Sequence, residues 1–208
     1  LYKNLTFSSF LEASIYLLFT IFSLYIHELF HVIAANFFDL GSGSNIKFWA
    51  MGGFAHIPDL GKTTPRQHII ISIAGPISNI LLLIPIFLYL FVNQYTLENL
   101  QENKYLFFLF LVNLILGIFN LIPAYPLDGG RILRSILVKK QGFVKATLTS
   151  CKIGLYISIL IIVFGILLGQ IGTALLGVLV FYTGWQNLKE FKKSKTLCEN
   201  SIDKENIL

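Results

Sequence analysis

The stretch His27-Glu28-Leu29-Phe30-His31 sits inside an apolar run from Ile15 to Phe38, and no other feature restricts the fold of this chain as much. On a helix, residues four apart share a face, so His27 and His31 can offer two imidazoles to one metal ion with Glu28 beside them. Ionisable groups at membrane depth are costly, and where they occur they face a protein interior or a water-filled cavity. Three of them in five positions favour a metal centre inside a bundle of apolar helices over two histidines merely satisfied by hydrogen bonds.

Composition agrees. Of 208 residues, 55% are hydrophobic and 13% charged, which describes a polytopic membrane protein. The 16 Lys and Arg against 11 acidic residues do not call for a nucleic-acid partner, because basic residues in a membrane chain chiefly set its orientation. Cys151 and Cys198 give no disulfide framework. The residues after Leu1 lack the basic segment and cleavable apolar core of a signal peptide.

In chain order, Phe10 to Phe38 reads as a first span, stopped by the Gly- and Ser-rich stretch Asp39 to Asn45. Ile46 to Ala50 and Phe54 to Ile57 are β-prone runs around Met51-Gly52-Gly53, predicting a short membrane-associated hairpin with a glycine turn. Its edge can bind an extended peptide by strand addition, which makes Gly52 and Gly53 a candidate substrate loop. His56 is open between a third metal ligand, a donor to substrate and an ordinary loop histidine, and is left outside the metal shell. Arg66 to Val92 is a second span with Ala74-Gly75-Pro76-Ile77-Ser78-Asn79 and Pro85 inside it; the small residues permit close packing, and Asn79 reads as an amide bonding across helices. Tyr105 to Ile122 is a third span. In Asn120-Leu121-Ile122-Pro123-Ala124-Tyr125-Pro126-Leu127-Asp128-Gly129-Gly130-Arg131, two prolines and two glycines predict a helix end and irregular backbone around one carboxylate.

Arg134 to Lys152 reads as a basic, polar connection, and Ile153 to Leu188 carries no charge. If the His27 helix ends on the cytoplasmic side, every Lys and Arg except Lys3 and Lys104 lies inside, provided the uncharged stretch crosses twice with a turn at Gly169 to Gly172. The expectation is an all-α polytopic fold of about five transmembrane helices. It forms a single domain over residues 1–208, with a core at 10–135, two short spans within 153–188 and a polar cytoplasmic tail at 189–208.

With that topology His27 and Asp128 reach similar depth near the cytoplasmic face. A catalytic zinc takes three protein ligands and an open position, which His27, His31 and Asp128 satisfy, although Asp128 can also cap or pair with Arg131 or Arg134. Glu28 would then be the general base and later the general acid. Asn120 is a candidate donor to a developing oxyanion, or a packing amide.

Together, His27-Glu28-Leu29-Phe30-His31, the Gly52-Gly53 loop, Ala74 to Asn79, and Asn120 with Pro123 and Leu127-Asp128-Gly129 resemble the site-2 protease family of intramembrane zinc metalloproteases, in the family's order and over about residues 15 to 135. The resemblance implies one Zn2+ held by His27, His31 and Asp128, and Glu28 as base. It implies single-span membrane proteins as substrates, cut near their cytoplasmic end in the lipid bilayer, and a regulatory membrane partner. The chain looks most similar to the compact bacterial branch containing the sporulation protease that releases a membrane-tethered pro-sigma factor. That implies a bacterial cell membrane, a site open to the cytoplasm and a cytoplasmic C-terminus. A helix before the metal helix and a C-terminal nucleotide-sensing CBS domain, both frequent in that branch, have no counterpart in these residues.

Other readings fit less well. A prenyl-protein peptidase needs a glutamate ligand, and none follows Glu28 until Glu98 on the opposite side. A zinc transporter needs a polar path through both faces. The alternative from another class is a pseudoprotease that binds membrane helices without cutting them, recognisable by stoichiometric zinc with no cleavage.

Overall fold

The computed structural model describes residues 7–40, 45–49, 52–56, 63–94, 98 and 103–205, with backbone alone at 7, 45–49, 52–56 and 194–205. Among the described residues, six helices and one hairpin follow in the order α1 (Phe7–Asn36), β1 (Asn45–Trp49), β2 (Gly52–His56), α2 (Pro65–Val92), α3 (Lys104–Asn120), α4 (Asp128–Gln141), α5 (Phe143–Leu167) and α6 (Ile171–Glu205). Among the described residues, Ser8–Asn36, Pro65–Val92 and Phe143–Leu167 are long and apolar enough to cross a membrane, and Lys104–Asn120 is a shorter apolar helix. The chain divides into two compact units, Leu1–Gly61 with Ala74–Phe119, and Lys62–Ile73 with Asn120–Leu208.

In the first unit, α1 and α3 run parallel. Glu12 near the start of α1 pairs with Lys104 at the start of α3, and further along Ser23 meets Asn113. Helix α2 runs the other way, with Phe87 edge-on to Phe110 and Asn79 bonded to Asn113. Leu83, Ile86 and Leu90 of α2 form an apolar cluster with Leu106, Phe110 and Leu114 of α3. The outward face of α1 is bare hydrocarbon, with Leu17 60% and Leu18 64% exposed, as a lipid-facing surface requires. Helix α1 ends where Asp39 takes a left-handed φ of 58° and the Leu40 N–H donates to Ala35 O at 3.0 Å. Pro76 and Pro85 lie inside an unbroken α2.

Strands β1 and β2 pair antiparallel, from Asn45 opposite His56 to Trp49 opposite Gly52. The sequence placed Gly52 and Gly53 in the turn, but both are strand residues, opposite Trp49 and Phe48. Glycine occurs both in turns and inside strands, and composition alone does not separate the two.

In the second unit, the stretch read as a polar connection is the helix α4 followed by the first turns of α5, which starts at Phe143 and not at Ile153. Gly129 and Gly130, read as ending a helix, lie inside the first turn of α4. They are there for contact: a Cβ at Gly129 would fall 2.5 Å from Leu121 C, and one at Gly130 2.5 Å from Tyr125 Cα. Gly154 of α5 and Gly184 of α6 approach the same Tyr125 peptide, so the irregular segment between α3 and α4 is covered by protein on three sides. Ser150 donates to Gly130 O at 2.7 Å across α4 and α5. Helices α5 and α6 are joined near Gly169 (φ 66°), within the expected turn. Helix α6 continues through the stretch expected as a polar tail, to Glu205.

Candidate metal centre

Helix α1 places His27, Glu28 and His31 in the first unit, and all three are buried. His27 lies fifteen residues beyond Glu12, roughly 22 Å along a helix rising 1.5 Å per residue, within the span of a bilayer core about 30 Å thick. Spacing of four brings the imidazoles together: His27 Nε2 and His31 Nε2 are 3.2 Å apart, with the rings edge-to-face. Two nitrogens bound to one tetrahedral zinc at about 2.0–2.1 Å stand about 3.3–3.4 Å apart. The donor pair therefore fits such an ion with almost no rearrangement.

Gly75 of α2 closes one side of this pair. A Cβ there would fall 2.6 Å from His31 Cε1 and 2.7 Å from His27 Nε2, so no side chain fits while the histidines hold their positions. One turn later Asn79, fully buried, brings its Oδ1 to 2.6 Å from His27 Nδ1. Asn79 Nδ2 donates to Asn113 Oδ1 at 3.0 Å, and Asn113 Nδ2 donates to Ser23 Oγ at 3.0 Å and to Leu109 O at 2.9 Å. Gly117, one turn after Asn113, faces the same part of α2, where a Cβ would make ordinary contacts, 3.4 Å from Pro76 O and 3.5 Å from Asn79 Cβ. The sequence reading had Asn79 bonding across helices without its histidine partner, named Gly75 only among small residues that permit close packing, and missed Ser23 and Asn113. One signal was available, since Gly75 and Asn79 are four apart and share a helix face.

The second unit holds Asn120 at the end of α3 and Asp128 as the first residue of α4, where Asp128 is buried. An acidic group in a first helical turn is favoured by the helix dipole. Arg131 Nη1 stands 3.9 Å from Asp128 Oδ1, at the outer limit of an ion pair. Arg134 is not a partner of Asp128; its Nη2 donates to His68 Nε2 at 3.0 Å, and its guanidinium lies 5.7 Å from the Tyr125 ring centroid. Burial pushes the Arg134 pKa below its ordinary value, against the opposing pull of Tyr125. His56 is placed by its backbone in β2, and a role for its side chain lies outside the described residues.

A buried His-Glu-x-x-His pair on a membrane-length apolar helix defines a membrane-embedded metalloprotein of the metallopeptidase pattern. The sequence profile described as Peptidase family M50 matches residues 15–104 and 95–165. The chain belongs to this family, the site-2 proteases, and is an integral membrane protein. It is 36% identical over 160 residues to a zinc metalloprotease of Methanocaldococcus jannaschii, covering 77% of this chain and 45% of that protein. It is 28% identical over 136 residues to stage IV sporulation protein FB of Bacillus subtilis, covering 65% of this chain and 45% of that one. Among solved structures, the site-2 protease from Methanocaldococcus jannaschii is similar with a TM-score of 0.64 at 32% identity, covering 84% of this chain and 77% of that chain. The chain thus spans about half the length of the curated relatives it matches.

Proposed function

We propose that this protein is an intramembrane zinc metalloprotease that hydrolyses a peptide bond in or near the cytoplasmic end of a substrate's transmembrane segment. The observation that carries the reading is the buried His27–His31 pair, its Nε2 atoms 3.2 Å apart, with Glu28 adjacent on a helix able to span the bilayer. His27, His31 and Asp128 hold Zn2+; all three are buried, and each offers one ligand atom. When bound, the zinc supplies a Lewis acid that polarises the scissile carbonyl and acidifies the attacking water.

Glu28 takes the proton from the water as its oxygen adds to the carbonyl carbon. The same carboxyl returns the proton to the amide nitrogen as the C–N bond breaks, so it acts as base and then as acid. The Asn120 amide donates to the oxygen that gains charge. An extended substrate backbone adds to an edge of the β1–β2 hairpin beside Gly52 and Gly53, a mode supported by its two-stranded form. Asp128 has a competing role as the partner of Arg131, whose Nη1 stands 3.9 Å from its Oδ1.

In this reading α3 and the uncharged part of α6 join the three long apolar helices as five spans, with the site and the C-terminus on the cytoplasmic side of a bacterial membrane; the bias of Lys and Arg towards one side supports that orientation. Substrates of this kind include membrane-tethered sigma or anti-sigma factors, and a membrane partner would regulate their entry. The test is zinc content and cleavage of a tagged membrane-helix substrate by detergent-purified protein, wild type beside Glu28→Gln. Cleavage by the wild type alone, with about one zinc in each, is expected of a catalytic zinc whose base is not a ligand. Zinc in both without cleavage in either replaces this reading with the helix-binding pseudoprotease.

A further inference from the structure

We propose that Leu109, Asn113 and Asn79, with Ser23 alongside, form a directional hydrogen-bond relay that fixes His27 as its Nδ1–H tautomer and reserves its Nε2 lone pair for the metal. The inference rests on the reading of His27 as a zinc ligand and assigns a positioning role to residues that do not touch the metal or substrate. Its direction is set at one end. The backbone carbonyl of Leu109 can only accept, so the Asn113 side-chain nitrogen must be the atom 2.9 Å from it. The second hydrogen of that NH2 goes to Ser23 Oγ, at 3.0 Å.

Asn113 Oδ1 therefore faces α2 and must receive a hydrogen, which Asn79 Nδ2 supplies at 3.0 Å. That orients the Asn79 amide in turn, and leaves Oδ1 as the atom 2.6 Å from His27 Nδ1. An amide oxygen only accepts, so His27 Nδ1 carries the proton and Nε2 is bare. Each amide orientation, ordinarily ambiguous, follows here from one carbonyl that cannot turn over. Ser23, Asn79 and Asn113 are all fully buried, so water does not compete for these bonds. Histidine ligands in metal sites commonly have their other nitrogen held in this way, and loss of that partner typically costs 10- to 100-fold in metal affinity.

The test has two arms. Nitrogen-15 spectra of histidine-labelled, metal-free protein, with His27 assigned by His27→Gln, report the tautomer in the wild type. Protonated Nδ1 and bare Nε2 are expected, and a protonated Nε2 overturns the proposal. In Asn113→Leu the Asn79 amide is free to turn over, so both tautomers should appear; an unchanged single tautomer also overturns the relay. Zinc affinity by chelator competition should fall 10- to 100-fold in Asn79→Leu, which leaves Nδ1 without its acceptor. Equal affinity in Asn79→Leu and wild type refutes the role. If a variant does not fold, the wild-type spectrum still decides. If the wild type binds no zinc, the metal reading fails, while the spectrum continues to report on the relay.

Discussion

Substitution of Gly75 by alanine isolates how closely α2 is fitted to the metal-binding pair. The added methyl would stand 2.6 Å from His31 Cε1 and 2.7 Å from His27 Nε2, whereas ordinary contacts begin at 3.4 Å. One or both rings must withdraw by at least about 0.7–0.8 Å, and His31 Nε2, the atom nearest the added methyl, by more, shifts larger than the roughly 0.2 Å tolerance of a good ligand distance. His27 is held from behind by its 2.6 Å contact with Asn79, so it cannot withdraw without breaking that bond. Zinc affinity should therefore fall by at least 100-fold, or about 2.7 kcal/mol. Thermal stability should change much less, because the helix-propensity gain of about 1 kcal/mol from Gly to Ala offsets part of an overpacking cost of about 1–3 kcal/mol. The assay is chelator competition on detergent-purified protein, with unfolding followed by circular dichroism. Wild-type zinc affinity in a folded Gly75→Ala protein would refute the reasoning, since the space over the two nitrogens would not then be what the glycine protects.

Glu28→Gln should abolish cleavage and keep about one zinc, as fits a proton carrier that is not a ligand; substantial residual cleavage would remove Glu28 from that role. Asp128→Ala should weaken zinc binding by more than the roughly 100-fold that loss of an outer partner costs, and unchanged affinity would return Asp128 to its pairing with Arg131. Stripping zinc with a membrane-permeant chelator should stop cleavage, and added zinc should restore it; activity that survives complete removal argues against a metalloprotease. Gly154→Ala should lower the unfolding midpoint by the equivalent of about 1–3 kcal/mol, because its methyl would stand 2.8 Å from Tyr125 N. Gly172→Ala, with open space within 4 Å, is the matched control and should be neutral or slightly stabilising.

The juxtaposition of His27 and His31 was legible because it is a local fact: the interval between them specifies one helix face whatever surrounds it. The loop around Gly169 was legible for the same reason, as a cluster of breakers between apolar runs. Helix α4 was not, because Gly129 and Gly130 at its start read as breakers and the basic residues after them read as a connection, although Arg and Lys are good helix formers and Ile132 with Ile136 and Leu133 with Leu137 keep helical spacing. What those glycines answer to is the backbone of Leu121 to Tyr125, a tertiary cause that propensity does not contain. Asn79 was visible as an amide bonding across helices, but which histidine it serves depends on the antiparallel approach of α2, where Gly75 leaves no room for a side chain.

The peptide of Tyr125 is approached by Gly130, Gly154 and Gly184, each from a different helix. Apolar helices in lipid slide past one another at little hydrophobic cost, so burial alone specifies their axial alignment poorly. A slip of one residue would bring Ile153 or Leu155 in place of Gly154, and Thr183 or Trp185 in place of Gly184, onto the same backbone atoms. The backbone of that one residue serves as a gauge, strictly for α5, where a Cβ at Gly154 would stand 2.8 Å from Tyr125 N, and more loosely for α6, where one at Gly184 would stand 3.0 Å from Tyr125 O, so misaligned assemblies meet steric resistance before side-chain packing has to discriminate between them.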